Sequence, residues 1–150
     1  MGLLNNIKSI ISSPNQANSE QPAAAAPVTA KKVLIVEDEK MLADALTVKL
    51  SRAGFQVLRA ENGQIGLDLA AAQKPNIVLL DLMRPVMDGK AFLEKLRGMP
   101  EFKTLPVIIL TNSGSVDNMR ETKTYFNASE FFVKSNTSLD QIVEKITALT

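Results

Sequence analysis

Cysteine and histidine are both missing from this 150-residue chain. Without cysteine there is no disulfide, no thiol redox chemistry and no zinc–thiolate site. Without histidine there is no imidazole base, no histidine triad and no phosphohistidine carried by the chain itself. Whatever chemistry exists falls to carboxylates, hydroxyls and lysines. An excess of either charge is missing too, with 17 Lys plus Arg against 16 Asp plus Glu. A nucleic-acid binder would normally show a basic surplus on one face, so no direct nucleic-acid contact is expected. No apolar run approaches the length of a membrane span. The length suits one domain with a proper core and is too short for two.

The first thirty residues differ from the rest. Residues 12–30, SSPNQANSEQPAAAAPVTA, are Ser, Pro, Ala and amide residues with little to bury, the composition of a flexible linker. Before them, GLLNNIKSIIS spaces Leu3, Leu4, Ile7, Ile10 and Ile11 along one helical face. A helix this short is marginal alone in water and forms only against something else. Asn5, Asn6, Lys8 and Ser9 interrupt the run that a signal peptide needs. Asn6 stands where a myristoylation motif wants Ser or Thr. Lys8 is the only basic side chain of the polar face, which disfavours membrane contact through this segment. The chain therefore divides into a short amphipathic segment (1–13), a linker (14–30) and a domain (31–150).

From Lys32 onward the pattern is regular. Apolar runs of strand length lie at 33–36, 55–58, 77–80, 107–110 and 131–133. VLIV and VIIL are unbroken and aliphatic, as expected for strands buried on both faces. Helical patterns fall between them. Leu42, Ala45, Leu46 and Leu50 make one face, Ile65 and Leu69 a second, and Phe92, Leu93 and Leu96 a third. Val116, Met119 and Phe126 make a weaker fourth. Leu139, Ile142, Val143, Ile146 and Leu149 close the chain behind a Ser138–Gln141 capping box. Gly54 and Gly98 follow helices, and Pro75 and Pro106 precede strands. Five strands alternating with five helices predict a parallel sheet covered on both sides, a doubly wound α/β domain.

In such a sheet, ligands bind beyond the carboxyl ends of the strands, near the point where strand order reverses. The first strand ends in Glu37, Asp38 and Glu39, the third in Asp81, the fourth in Thr111 and the fifth in Lys134. The second ends unremarkably in Arg59 and Ala60. Singly, each has a bland reading: a solvated acidic turn suited to a helix N-terminus, a turn cap, an ordinary strand threonine, a solvent-facing lysine. Together they arrive at one edge of one sheet. Carboxylates crowded there raise one another's pKa values unless a cation joins them, and oxygen donors suit a hard cation such as magnesium. The first turn has no glycine to cradle a phosphate directly.

VLIVEDE, LLDLMRPVMDG, VIILTN and FFVKS resemble the four signature segments of response-regulator receiver domains of two-component signalling, in order and spacing across about residues 32–149. The resemblance implies a flavodoxin-like sheet of order 2-1-3-4-5. It implies that Asp81 is the phosphoacceptor, and that Glu37, Asp38, Asp81 and the backbone carbonyl of Met83 bind Mg2+. Thr111 would bind a phosphoryl oxygen, Lys134 would pair with the phosphoryl group, and Phe131 would be the aromatic switch residue alongside Thr111. Glu39 is left out of the metal's ligands. The residue chemistry agrees: a carboxylate nucleophile makes an acyl phosphate, and a fixed ammonium and a hydroxyl stabilise the charge.

The chain departs from the family pattern in five places. Ser135 follows Lys134 where Pro is common, and Asn127-Ala128 replaces Gly-Ala, Asn being tolerant of a left-handed backbone. Phe131 replaces the frequent Tyr and cannot hydrogen-bond. Asn112 is larger than the usual residue and narrows access to the phosphoryl group, and Arg84 adds a positive charge. No reacting group is lost.

The sequence predicts a phosphorylation switch without turnover on other substrates. The chain ends with its last predicted helix, which suggests a single-domain receiver without an attached output domain. The phosphoryl group would come from a sensor histidine kinase or phosphotransfer protein, and the signal would leave through a noncovalent protein partner at the fourth helix, fifth strand and fifth helix. A cytoplasmic location is the default. Two competing readings are a binding module that works unphosphorylated and a magnesium-dependent phosphatase of the haloacid dehalogenase class. The latter generally needs a second Asp where Met83 stands.

Overall fold

A computed structural model describes residues 30–81, 89–112, 124 and 127–150. Its elements are β1 (Lys32–Val36), α1 (Lys40–Arg52), β2 (Gln56–Ala60), α2 (Gly63–Gln73), β3 (Ile77–Asp81), α3 (Gly89–Arg97), β4 (Val107–Thr111), β5 (Glu130–Val133) and α4 (Leu139–Leu149). The fourth helix expected around Val116, Met119 and Phe126, the departure at Arg84, and the segments before residue 30 lie outside the described residues. The fifth expected helix is α4.

The five strands pair in parallel in the order β2-β1-β3-β4-β5, as the sequence predicts. Strand alternation explains the layers. Leu34, Val36, Val78, Leu80, Val107, Ile109 and Phe131 point to one face and pack with Leu67 and Ala70 of α2 and Phe92, Leu93 and Leu96 of α3. Val33, Ile35, Ile77, Leu79, Ile108 and Leu110 point to the other, against Leu46 and Leu50 of α1 and Ile142 and Ile146 of α4. β3 and β4 are buried along their whole length, which requires aliphatic side chains at every position up to the polar last one. Each such Leu or Ile gains about 1.5–3 kcal/mol on burial, enough in sum to carry a few costly polar groups at the edge.

Local signals close the elements. The Ser138 hydroxyl accepts from Gln141 N, and the Gln141 side chain accepts from Ser138 N, so the expected capping box is present. Gly54 takes φ +97 just after α1, a conformation that suits glycine. Asn127 adopts the left-handed backbone, at φ 54. Its carbonyl accepts from Arg97 Nη2 at 2.9 Å, while Arg97 Nη1 donates to the carbonyls of Phe102 and Leu105 at 2.7 and 2.8 Å. One half-buried guanidinium thus ties α3 to the chain entering β4 and β5.

Two expectations shift. β2 begins at Gln56, because Phe55 N closes the end of α1 on Leu50 O and Gln56 pairs with Lys32. The buried face of α2 is Gly63, Gly66, Leu67 and Ala70, with Leu69, as expected, partly buried against the same layer, whereas Ile65 is exposed. The helix lies so close to the sheet that small residues make the contact, and a search for large apolar side chains does not see them.

Gly66 makes that closeness testable. A Cβ there would meet Phe92 Cε2 and Val36 Cγ2, each at 3.0 Å, and both side chains are fully buried. Gly66→Ala gains about 1 kcal/mol in helix propensity but overpacks the interface by about 1–3 kcal/mol. A net loss of about 1 kcal/mol is expected in urea unfolding; equal or greater stability would show that the helix has room to move.

Candidate functional site

β1 and β2 extend the sheet one way and β3 to β5 the other, so a crevice opens between the carboxyl ends of β1 and β3. Val36 and Leu80 are register partners, which sets Glu37 and Asp81 side by side one step further on. Glu37 N donates to Ala60 O at 3.0 Å, continuing the ladder to β2. Thr111 ends β4 opposite Val133, and Lys134 follows Val133. Register alone therefore brings the polar ends of four strands to one edge.

The side chains converge. Carboxylate oxygens of Glu37, Asp38 and Asp81 lie within 4.8 Å of one another. Glu37 and Asp81 are buried and Asp38 is exposed, so the cluster has a solvent-facing side. Lys134 Nζ stands 3.0 Å from Glu37 Oε1, 3.2 Å from Asp81 Oδ2, to which it donates, and 3.8 Å from Glu39 Oε1. Glu37 Oε2 accepts from Glu39 N at 3.1 Å, which fixes the carboxylate inward. Thr111 is buried at this edge, 2% exposed. Phe131, in register with Ile109, is buried in the core layer of α2 and α3.

Burial pushes the Glu37 carboxyl above its ordinary pKa, and the charge of Asp81 adds to this; Lys134 and Glu39 N oppose it. For Lys134, burial alone would lower the value, but Glu37 and Asp81 outweigh it and hold the ammonium above its ordinary range. The site is thus short of positive charge despite Lys134. Glu37 Oε1 is fully buried, and Lys134 Nζ, at 3.0 Å, is the cation it leans on. Two oxygens bound to one magnesium at about 2.1 Å stand at most about 4.2 Å apart. The three carboxylates, already within 4.8 Å, fit such an ion after a small closure.

Of the residues singled out from sequence, Glu37, Asp38, Asp81 and Lys134 come together and Thr111 ends β4 at the same edge, while Phe131 lies deeper, within β5 beside Ile109. Met83 lies outside the described residues. Arg59, read as unremarkable, is not: with Glu37, Asp38, Lys40 and Glu61 it lines a groove beside the cluster, and its Nη1 meets Asp44 Oδ1 at 2.6 Å. The available signal was an arginine at the carboxyl end of the strand next to β1. Asn112 and Ser135 line a second groove with Lys134, Glu39, Met41 and Leu42.

Comparison with known proteins places the chain in a family. Residues 33–147 match the family model of the response regulator receiver domain. Sporulation initiation phosphotransferase F of Bacillus subtilis (strain 168) is 34% identical over 93 residues, covering 62% of this chain and 73% of that protein. The probable transcriptional regulator ycf27 of Cyanophora paradoxa is 34% identical over 107 residues, covering 71% of this chain. This chain spans only 43% of that regulator and 40% of its Guillardia theta counterpart. Among solved structures, a signal receiver domain of a histidine kinase from Syntrophus aciditrophicus is 30% identical, with TM-score 0.70 over 80% of this chain and 89% of that one. Chemotaxis protein CheY4 of Vibrio cholerae, at 24% identity and TM-score 0.75 over 81% of this chain and all of that one, shares the fold.

The raised Glu37 value gives a pH test in protein freed of divalent cations. The folded state keeps a proton that the unfolded chain has released, so stability falls as pH rises from the ordinary 4.5 through the raised value. Lys134 contributes stability fully present below its unfolded pKa and lost above its raised one, so it adds no slope in that window. Glu37→Gln is expected to flatten the wild-type decline in urea unfolding between pH 5 and 8. An unchanged slope would place the buried charge elsewhere.

Proposed function

The chain belongs to the response regulator receiver family, and from that premise we propose that Asp81 accepts a phosphoryl group and that the domain signals according to its phosphorylation state. Phosphorylation and magnesium binding at an acidic pocket are typical of the family, and receiver domains interact with histidine kinases or phosphotransfer proteins. The observation that carries the reading is the Lys134 ammonium set between Asp81 and Glu37, beside three carboxylates within reach of one cation.

Asp81 attacks the phosphorus of a phosphohistidine on another protein. The new bond joins its carboxylate oxygen to phosphorus, the P–N bond breaks, and the imidazole leaves with the electron pair. Lys134 offers a fixed positive charge to the arriving phosphoryl oxygens, and the Thr111 hydroxyl donates a hydrogen bond. Glu37, Asp38 and Asp81, with the carbonyl of Met83, would hold Mg2+, which would supply positive charge against the phosphoryl oxygens. β3, buried along its full length, supplies the rigidity, since this chemistry is mainly positioning.

Thr111 and Phe131 convey the change, the hydroxyl drawn to the phosphoryl group and the ring repacking beneath β4 and β5. The output passes to a noncovalent protein partner. In this reading the receiver (31–150) works in the cytoplasm, behind a linker (14–30) and an amphipathic segment (1–13). No helix among the described residues is long and apolar enough to cross a membrane.

Incubation with acetyl phosphate and Mg2+ followed by intact mass measurement tests the assignment. Wild type is expected to gain one phosphoryl group and Asp81→Asn none. Equal labelling of both would move the acceptor elsewhere. No labelling of wild type, even by a phosphorylated kinase, would leave a binding module of the same fold.

A further inference from the structure

Glu39 occupies the N-cap position of α1, yet its side chain makes no capping hydrogen bond. Its carboxylate instead reaches toward Lys134, with Oε1 at 3.8 Å from Nζ. Three anionic groups thus surround one ammonium: Glu37 at 3.0 Å, Asp81 at 3.2 Å and Glu39 at 3.8 Å. They are not equivalent. The Glu37 side chain is 1% exposed and turned toward the other carboxylates, whereas that of Glu39 is 62% exposed and has no burial to hold it inward.

We propose that Glu39 is a positioning residue that competes with the phosphoryl group for Lys134 and so sets how readily the phosphorylated state forms. The inference rests on the roles given above to Asp81 and Lys134. Were Glu37 to bind a divalent cation, Lys134 would lose its nearest partner, now at 3.0 Å. Its ammonium then divides between Glu39 and whatever Asp81 carries. Lysine is a point charge on a flexible stem, and at 3.8 Å the charge of Glu39 draws the ammonium away from a phosphoryl oxygen. The Lys134 side chain is 14% exposed, so it follows its charge partners more than water. Because Glu39 faces solvent, its hold is modest and weakened by salt. Glu39 N, which orients Glu37, is a backbone group and survives any side-chain substitution.

The test titrates beryllofluoride, a phosphoryl mimic, into full-length protein saturated with Mg2+, with bound fluoride read by 19F NMR. Glu39→Gln is expected to tighten binding about two- to fivefold, the range of an exposed ion pair, with an unchanged melting temperature. Glu39→Asp keeps the charge but is one methylene shorter, and is expected to tighten binding as well. In a Lys134→Gln background the Glu39 substitutions are expected to have no effect. Unchanged binding in Glu39→Gln would overturn the proposal. So would wild-type binding in Glu39→Asp, or tightening that persists without Lys134, since either makes Glu39 a distant field rather than a competitor. If wild type takes up no beryllofluoride, or Asp81→Asn takes up as much, the reading of the site itself fails and this inference with it, a result distinct from those.

Discussion

One ammonium between two buried carboxylates is the interaction on which the site turns. Glu37 and Asp81 sit where an aliphatic core meets water, and neither side chain is more than 6% exposed. Removing a carboxylate from water costs several kcal/mol unless charge returns. Lys134 returns one positive charge to two buried negatives and a third, Glu39, at the rim. The imbalance appears in the raised pKa of Glu37, whose burial and whose neighbour Asp81 outweigh the help of Lys134. A pocket short of positive charge favours an added cation, whereas an electrically balanced one would not.

The fold exists to hold that imbalance still. β1, β3 and β4 are aliphatic on both faces up to the residue where each turns polar, so they cannot slide by one position without burying a charge or exposing a leucine. Gly66 lets α2 lie against Val36, the residue before Glu37. Arg97, at the opposite edge of the sheet, fixes the chain entering β5, which carries Phe131 and Lys134. The surface ion pairs Lys49–Asp140 and Arg59–Asp44 are exposed and add little by comparison.

Much of this was legible in the residue order because the signals are local. Unbroken VLIV and VIIL runs mark central strands, since only a doubly covered sheet buries every side chain of a strand. The Ser138–Gln141 box marks the start of α4 because capping depends on three-residue spacing alone. Glu37, Asp81, Thr111 and Lys134 stood out because each ends an apolar run. On α2 the sequence pattern finds Leu69 but not Gly63, Gly66 and Ala70, because glycine and alanine carry no hydrophobic signature, however close the packing. The first residue of β2 was misread because Phe55 serves the end of α1, a contact made in three dimensions. Arg59 was passed over because its partner Asp44 lies fifteen residues away on another element.

The sequence by itself determined the order of the elements, the parallel sheet and which polar groups reach its carboxyl edge. Those follow from periodicity and from the requirement that polar side chains leave the core where strands end. The tertiary structure decided which of those groups touch. It turned Lys134 to Glu37 as well as Asp81, brought Glu39 within its reach, and left Asp38 as the exposed member of the cluster. Such distances depend on strand order and on how adjacent strand ends stack, so they come into being only when the whole sheet closes.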